Sequence, residues 1–374
     1  MIPVNVPSLD GNEARYLAEC IETGWISADG PFVHRLEEGM AEVTGRRHAI
    51  AVCNGSAALD AAVGALQLGP GDEVILPTFT IISCALAIVR SGATPVVVDC
   101  EPDTWNLDVA QVEAALTPRT RAIMAVHVYG LPVDMDPLLE LAARHDLRII
   151  EDAAEAIGQT YRSLDGRLRP CGGIGDVSTF SFYSNKHVTC GEGGMVLTDD
   201  DALAERTRSL RNLCFGPVRF VHEEMGYNFR MSNLQAAVGV AQLERLEQSL
   251  ARKREIGARY SERLAGRPAL QCPLPRTPHA ENVYWVYGVV LDDAVPFDAA
   301  EAMERLTDAG VETRPFFRGM HEQPALRRRG LFPGVRCPVA ERLSRRGFYL
   351  PAGLALTDDE IDRVVKAVDG LFSP

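Results

Sequence analysis

The chain has 374 residues, enough for a large core and two domains. Its 46% hydrophobic and 24% charged residues are the make-up of an ordinary soluble globular protein. The formal charge of −13, from 38 Lys+Arg against 51 Asp+Glu, and the lack of a long basic run exclude a nucleic-acid footprint. The start, "MIPVNVPSLDGNEARYL", does not read as a signal peptide. The longest apolar stretches, such as "IISCALAIV", are too short to span a bilayer, so no membrane partner is expected. Nine scattered cysteines with no CxxC pair argue against zinc and thioredoxin chemistry and for a reducing compartment. A soluble, cytoplasmic protein is expected.

From about residue 47 short apolar runs alternate with helix-like segments. "HAIAV" precedes "GSAALDAAVGAL", and "DEVILP" precedes "IISCALAIVRSG". "TPVVVD" precedes a helix near 108–116, "RAIMAVHV" precedes "MDPLLELAARH", and "LRIIEDAAEAIG" follows. Such alternation predicts an α/β unit with a mostly parallel sheet covered on both faces. Residues 201–213 read as a helix. A longer helical stretch begins at Ser232, a suitable N-cap, with apolar residues recurring at three and four. Pro268, Pro273, Pro275 and Pro278 mark a linker. We place a large domain at 1–245 and a smaller α+β domain at 246–374. The latter holds strands "NVYWVYGVVL" and "VETRPFF" and helices "FDAAEAMERLTDAG" and "TDDEIDRVVKAVDGLF".

In open parallel sheets ligands bind beyond the carboxyl ends of the strands. Three features fall there. "CNGSAAL" puts Gly55 and Ser56 at a helix N-terminus, either an anion site suited to a phosphate or an ordinary turn capped by Ser56. "LRIIEDAAEAIG" puts an acidic pair at the end of a buried strand, where a carboxylate needs a partner. Asp152 there could hold a metal, act as a base, hold a proton on a heterocyclic nitrogen, or simply favour a helix N-terminus. "SFYSNKHVTCGEGGMV" puts one amine, Lys186, in a strand-like apolar run before a glycine-rich turn. A surface lysine is the plain structural reading; a desolvated lysine can instead form a Schiff base with a carbonyl. Pyridoxal phosphate needs a lysine, a carboxylate for its ring nitrogen and a phosphate cradle. Lys186, Asp152 and Gly55–Ser56 supply that trio.

In these motifs the chain resembles the DegT/DnrJ/EryC1/StrS family of sugar aminotransferases. "GWIS", "CNGSAAL", "GPGDEVILP", "GATPVVVD", "IMAVHVYG", "IIEDAAEAIG", "FSFYSNKHVTCGEGGM", "YNFRMSNLQAAVG" and "TRPFF" followed by "MH" carry the resemblance along almost the whole chain. It implies the aspartate aminotransferase-like fold (fold type I), with pyridoxal 5′-phosphate as cofactor and pyridoxamine 5′-phosphate as its amino-carrying form. It also implies L-glutamate and a nucleotide-linked keto sugar as partners. Among subgroups the chain looks most like enzymes that aminate a GDP-linked 4-keto-6-deoxymannose. A UDP- or dTDP-linked 3- or 4-keto sugar or a keto-cyclitol is the alternative. A regulatory protein without catalysis, or another enzyme of the fold such as a cysteine desulfurase, stands further off; Cys190 reads as a small buried filler.

By the same resemblance Lys186 matches the cofactor-binding catalytic lysine and Asp152 the partner of the ring nitrogen. Glu155 takes the position that contacts the cofactor 3′-oxygen. Gly55, Ser56 and Ser181 match phosphate contacts. Asn228 matches a residue reaching the phosphate from a neighbouring subunit, which implies a homodimer with shared sites. Ser27, Tyr183, Arg230, Arg314 and His321 match the substrate side, Arg230 serving equally well as an interface salt bridge. The segment "FGPVRFVHEEMGYNF" is expected to line the sugar site. The family's ring-stacking aromatic after P-x-x-T is Ile81 here, so Ile81 or a displaced Phe79 would cover the ring. A dehydratase branch has His at the lysine position; here Lys186 is present and His187 only follows it, which argues for transamination.

Overall fold

The computed structural model describes residues 1–218, 220–222 and 224–372. Arg219 and Glu223, inside the segment expected to line the sugar site, lie outside the described residues. The apolar runs of the first half form strands β1 His48–Val52, β2 Glu73–Pro77, β3 Thr94–Val98, β4 Thr120–Val126 and β5 Arg148–Asp152. A two-stranded ribbon, β6 Thr160–Arg162 and β7 Leu168–Pro170, precedes β8 Val177–Ser181 and β9 Gly194–Thr198. Apart from the ribbon these strands make one seven-stranded sheet in the order β1-β9-β8-β5-β4-β2-β3. All neighbours from β8 to β3 are parallel, and only β9 is antiparallel, to β1 and to β8. The segment joining β8 to β9 holds no helix that could carry the chain back for a parallel strand. Every residue of β2 and β9 is buried, as expected of strands with helices on both faces.

The helices Gly55–Ala65, Ile82–Ser91 and Met135–His145 stand where the pattern predicts them. The stretch from Ser232 differs. Ser232 caps it in a full capping box with Gln235, but the helix Asn233–Leu243 stops and a second, Leu246–Leu264, begins. The joint is fixed from outside. Glu244 accepts from Tyr16 Oη at 2.6 Å and Asn12 Nδ2 at 2.7 Å, while Arg245 pairs with Asp10. The first helix buries its small residues against the N-terminal helices. The second sends Ile256, Tyr260 and Leu264 into the C-terminal core.

That core carries an antiparallel sheet of β10 Leu270–Gln271, β11 Tyr287–Leu291, β12 Arg314–Pro315 and β13 Gly347–Leu350, in the order β10-β11-β13-β12. The expected strand "VETRPFF" shrinks to Arg314–Pro315 because Phe316 and Phe317 leave it to pack against Phe79 and Tyr129. Ile2 pairs with Val311 and joins the same core. A single apolar cluster runs from Val74, Leu76, Met124 and Ile150 under the large sheet to Trp285, Phe316 and Leu343, tying the two parts together.

Candidate active site

A cavity of about 530 Å³ opens at the carboxyl ends of β1, β2, β4, β5 and β8. Trp285, Phe317 and Tyr349 close it from the C-terminal side. Gly55, Ser56, Ile81, Asp152, Glu155, Ser181, Tyr183 and Lys186 all line it, although they come from segments far apart in sequence.

One wall is the start of the helix Gly55–Ala65. Its N-cap is Asn54, whose side chain accepts from Ala57 N at 2.8 Å, so Ser56 is not the cap. The Ser56 hydroxyl instead meets Ser83 Oγ at 2.7 Å on the cavity wall. A Cβ on Gly55 would fall 2.7 Å from Ser181 Cβ, so only glycine lets this helix start lie against β8. Gly194, paired with Ser181, is as tightly held: a Cβ there would come within 2.5 Å of Asn54 O. Hydroxyls of Ser56, Ser83 and Ser181 around a helix N-terminus form a donor set for a phosphate.

The acidic pair divides between the two faces of β5, as alternate strand residues must. Glu151 points away from the cavity. It accepts from the amides of Ile174 and Gly175 at 2.9 Å and from Ser178 Oγ at 3.1 Å, and meets His127 Nε2 at 3.0 Å. Burial alone would raise its pKa, but His127 and the amides outweigh it and hold the carboxyl at about 2. Its oxygens are therefore filled, which accounts for Glu151 without a metal even though Cys171 lies close by. Asp152 faces the cavity. Cys84 Sγ donates to its Oδ2 at 3.2 Å, and Ala154 N and Thr179 Oγ1 donate to its Oδ1 at 3.1 and 3.4 Å.

β8 ends at Ser181, so Lys186 sits in the turn beyond it and not in a strand. Gly191, in the left-handed region at φ 78°, turns the chain back towards β9. The side chain of Lys186 is only 10% exposed, and Nζ lies 3.5 Å from Glu155 Oε1. Nζ also stands 3.6 Å from the ring centroid of Trp285. Burial lowers the pKa of Lys186, opposed by the carboxylates of Glu155 and Asp152. Burial raises Glu155 to about 7, opposed by Lys186 and by Tyr129 N, which donates to Oε2 at 2.9 Å. Each partner pulls the other towards charge while burial pushes both towards neutrality.

The remaining predicted residues do not line the cavity of their own chain. Ser27, Asn228 and Arg230 are exposed, and Arg230 reaches Asn228 Oδ1 at 3.2 Å. Arg314 lines a smaller pocket of about 210 Å³ that shares Tyr183, Asn185, Trp285 and Tyr349 with the main one, and it pairs with Glu312 at 2.6 Å. His321 does not reach the cavity. It is buried, with Nδ1 2.8 Å from Thr78 Oγ1 and Nε2 3.3 Å from Glu341 Oε1. Phe79 is likewise fully buried among Tyr129, Phe316 and Phe317, whereas Ile81 is 44% exposed on the cavity wall. Of the two candidates for covering the ring, only Ile81 therefore faces the space. Cys190 is a buried thiol, as read.

Sequence reasoning missed Ser83, Cys84, Trp285, Phe317 and Tyr349. Ser83 and Cys84 carried a signal, since they open the helix after β2. The three aromatics did not, because only folding brings them to the large sheet.

The buried amine, the oriented carboxylate and the hydroxyl-lined helix start, all on the carboxyl edge of an α/β sheet, are the groups that a phosphorylated aldehyde cofactor needs. The sequence pattern of the DegT/DnrJ/EryC1/StrS aminotransferase family matches residues 7–369. A protein of Caulobacter vibrioides described as a GDP-perosamine synthase is 43% identical over 98% of this chain and 97% of its own. One of Vibrio cholerae with the same description is 38% identical over 100% of both. The crystal structure of DesV from S. venezuelae matches at TM-score 0.89 and 36% identity, over 97% of this chain and 95% of its own. The chain belongs to the DegT/DnrJ/EryC1/StrS aminotransferase family. It is a pyridoxal-phosphate-dependent sugar aminotransferase with the α/β fold of those enzymes.

Proposed function

We propose that the protein moves the amino group of L-glutamate to C4 of a GDP-linked 4-keto-6-deoxymannose and so makes GDP-perosamine. The observation that carries the catalytic reading is the buried amine of Lys186, 3.5 Å from Glu155 at the mouth of β8. The two relatives described as GDP-perosamine synthases, aligned over essentially the whole chain, support the choice of sugar.

When bound, pyridoxal phosphate supplies an electron sink next to the carbon that carries the amino group. The residues present fit it. Gly55, Ser56 and Ser181 would hold the phosphate at the helix start, where a side chain on Gly55 would fill the cradle. Asp152, oriented by Cys84, Thr179 and Ala154, would hold a proton on the ring nitrogen. Glu155 would meet the 3′-oxygen. Lys186 would anchor the aldehyde, and its free amine would take a proton from the donor's Cα and give one to the sugar's C4. Its lowered pKa suits an amine that must act first as base and then as acid within each half-reaction. Ile81 would cover one face of the ring by dispersion.

The same reading makes the protein a homodimer. Asn228, Arg230 and Ser27 are exposed and do not line their own cavity, as residues that serve a neighbour would be. Around them Phe215, Val218, Val221 and Met225 present apolar surface to solvent. Nine free thiols suit a reducing cytoplasm.

The test supplies purified, cofactor-loaded protein with L-glutamate and a panel of keto sugars linked to GDP, dTDP or UDP. The proposal expects one 2-oxoglutarate per aminated GDP-sugar. Turnover confined to a dTDP- or UDP-sugar would overturn the choice of nucleotide alone. No 2-oxoglutarate with any of them would favour a non-catalytic binding protein.

A further inference from the structure

The chain uses arginine for almost every cation; its only lysines are Lys186, Lys253 and Lys366. Two of the three are buried, and both meet Trp285. Lys253, on the helix Leu246–Leu264, is 1% exposed. Its Nζ donates to Trp285 O at 2.8 Å and to Ala352 O at 2.6 Å. The amine presents its N–H groups to two backbone carbonyls. Burial and the charge of Lys186 lower the pKa of Lys253 to about 7.

Trp285 is thus gripped at two points. Lys253 holds its carbonyl, and its indole Nε1 donates to Asn185 O at 2.9 Å, on the residue just before Lys186. The ring is left with its face against Lys186 Nζ, 3.6 Å from the centroid. Trp285 lies just before β11 and Lys186 in the turn after β8, so this contact also joins the C-terminal part to the large sheet's edge.

We propose that Trp285, seated by Lys253, is a positioning residue for Lys186. Its indole covers one side of the amine, keeps water from it and turns it towards Glu155 and the cavity. The contact favours the ammonium form through the ring's negative face. Glu155 from the turn after β5, Asp152 at the end of β5 and Cys84 from the helix Ile82–Ser91 also act on this amine. Lys253 from its helix and His187 from the same turn are coupled to it as well. The inference rests on the reading of Lys186 as the working amine. If K186A kept turnover, that reading would fail by itself, apart from anything Trp285 does.

The experiment titrates Lys186 in cofactor-free protein. The rate of its labelling by trinitrobenzenesulfonate is followed against pH, and the labelled lysine is identified by mass spectrometry, with only three to distinguish. W285L, which removes the aromatic face, should lower the midpoint by about one pH unit. W285F, which keeps a face and loses the Asn185 bond, should lower it by less than half as much. In the loaded enzyme W285L and K253M should each cut kcat about tenfold or more, with the donor's KM within about threefold. The double variant should be no slower than the slower single, because Lys253 acts through Trp285. Equal midpoints for W285L and W285F, or an unshifted W285L, would mean simple packing and overturn the proposal. Losses in kcat that multiply in the double variant would overturn the link to Lys253. Should W285L fail to fold, an unshifted W285F with unchanged kcat in K253M would overturn it as well.

Discussion

At Lys186 and Glu155 burial and pairing oppose each other, and the balance sets what each can do. Lys186→Ala should abolish turnover and the visible absorbance of the loaded enzyme, with a melting temperature close to that of the parent; normal turnover would refute its role. Glu155 has a definite sign. Its folded pKa, about 7, is above the ordinary 4.5 because burial disfavours the charged form. Its contribution to stability is therefore full below about pH 4.5 and is lost as pH rises through about 7, by up to about 3 kcal/mol. Cofactor-free protein should melt at a lower temperature at pH 8 than at pH 5, and Glu155→Gln should flatten that difference. An unchanged difference in the variant would show that another group titrates. Trp285 reaches its place only through folding. Its partner Lys186 lies about a hundred positions away, and no spacing in the chain announces it.

Two elements deliver most of the site. The helix Gly55–Ala65 can start against β8 only because residue 55 lacks a Cβ. Gly55→Ala should cost about 1–3 kcal/mol through crowding with Ser181 and weaken cofactor binding, read as a higher pyridoxal phosphate concentration for half-saturation. Normal affinity in that variant would show that Gly55 does not shape the phosphate cradle. The capping box at Ser232 is a separate matter of helix ends. Ser232→Ala should lower stability by about 1 kcal/mol in urea unfolding, leaving the cavity residues in place. The strand–helix alternation of the first half was legible because burial on both faces forces apolar runs. The break at Glu244–Arg245 was not, since Tyr16, Asn12 and Asp10 impose it from the other end of the chain.

Over the whole molecule, Glu151 is the clearest electrostatic anchor, joining β4 and β5 to the loop before β8. Its pKa is lowered from 4.5 to about 2, so its stabilisation is full above about pH 4.5 and drains away as pH falls towards 2. That is worth about 3 kcal/mol, and Glu151→Gln should give a flatter acid limb in a stability-against-pH curve. A variant as acid-sensitive as the parent would assign that limb to other carboxylates.

The order of the first strands, the lysine, the carboxylate and the glycine–serine turn were readable in the chain itself. Local chemistry requires those residue types at strand ends and helix starts. The same local reading took Asp152 and Glu151 as one acidic pair, whereas the pleat of β5 sends one to the cavity and the other to His127. The family resemblance grouped His321 with the substrate residues, and folding buries that ring between Thr78 and Glu341. What only the tertiary structure decided is how the C-terminal part closes the site, with Trp285 over Lys186, Ile81 on the wall and Phe79 withdrawn from it. Those placements follow from packing between segments remote in sequence, and packing leaves no periodic trace in the order of residues.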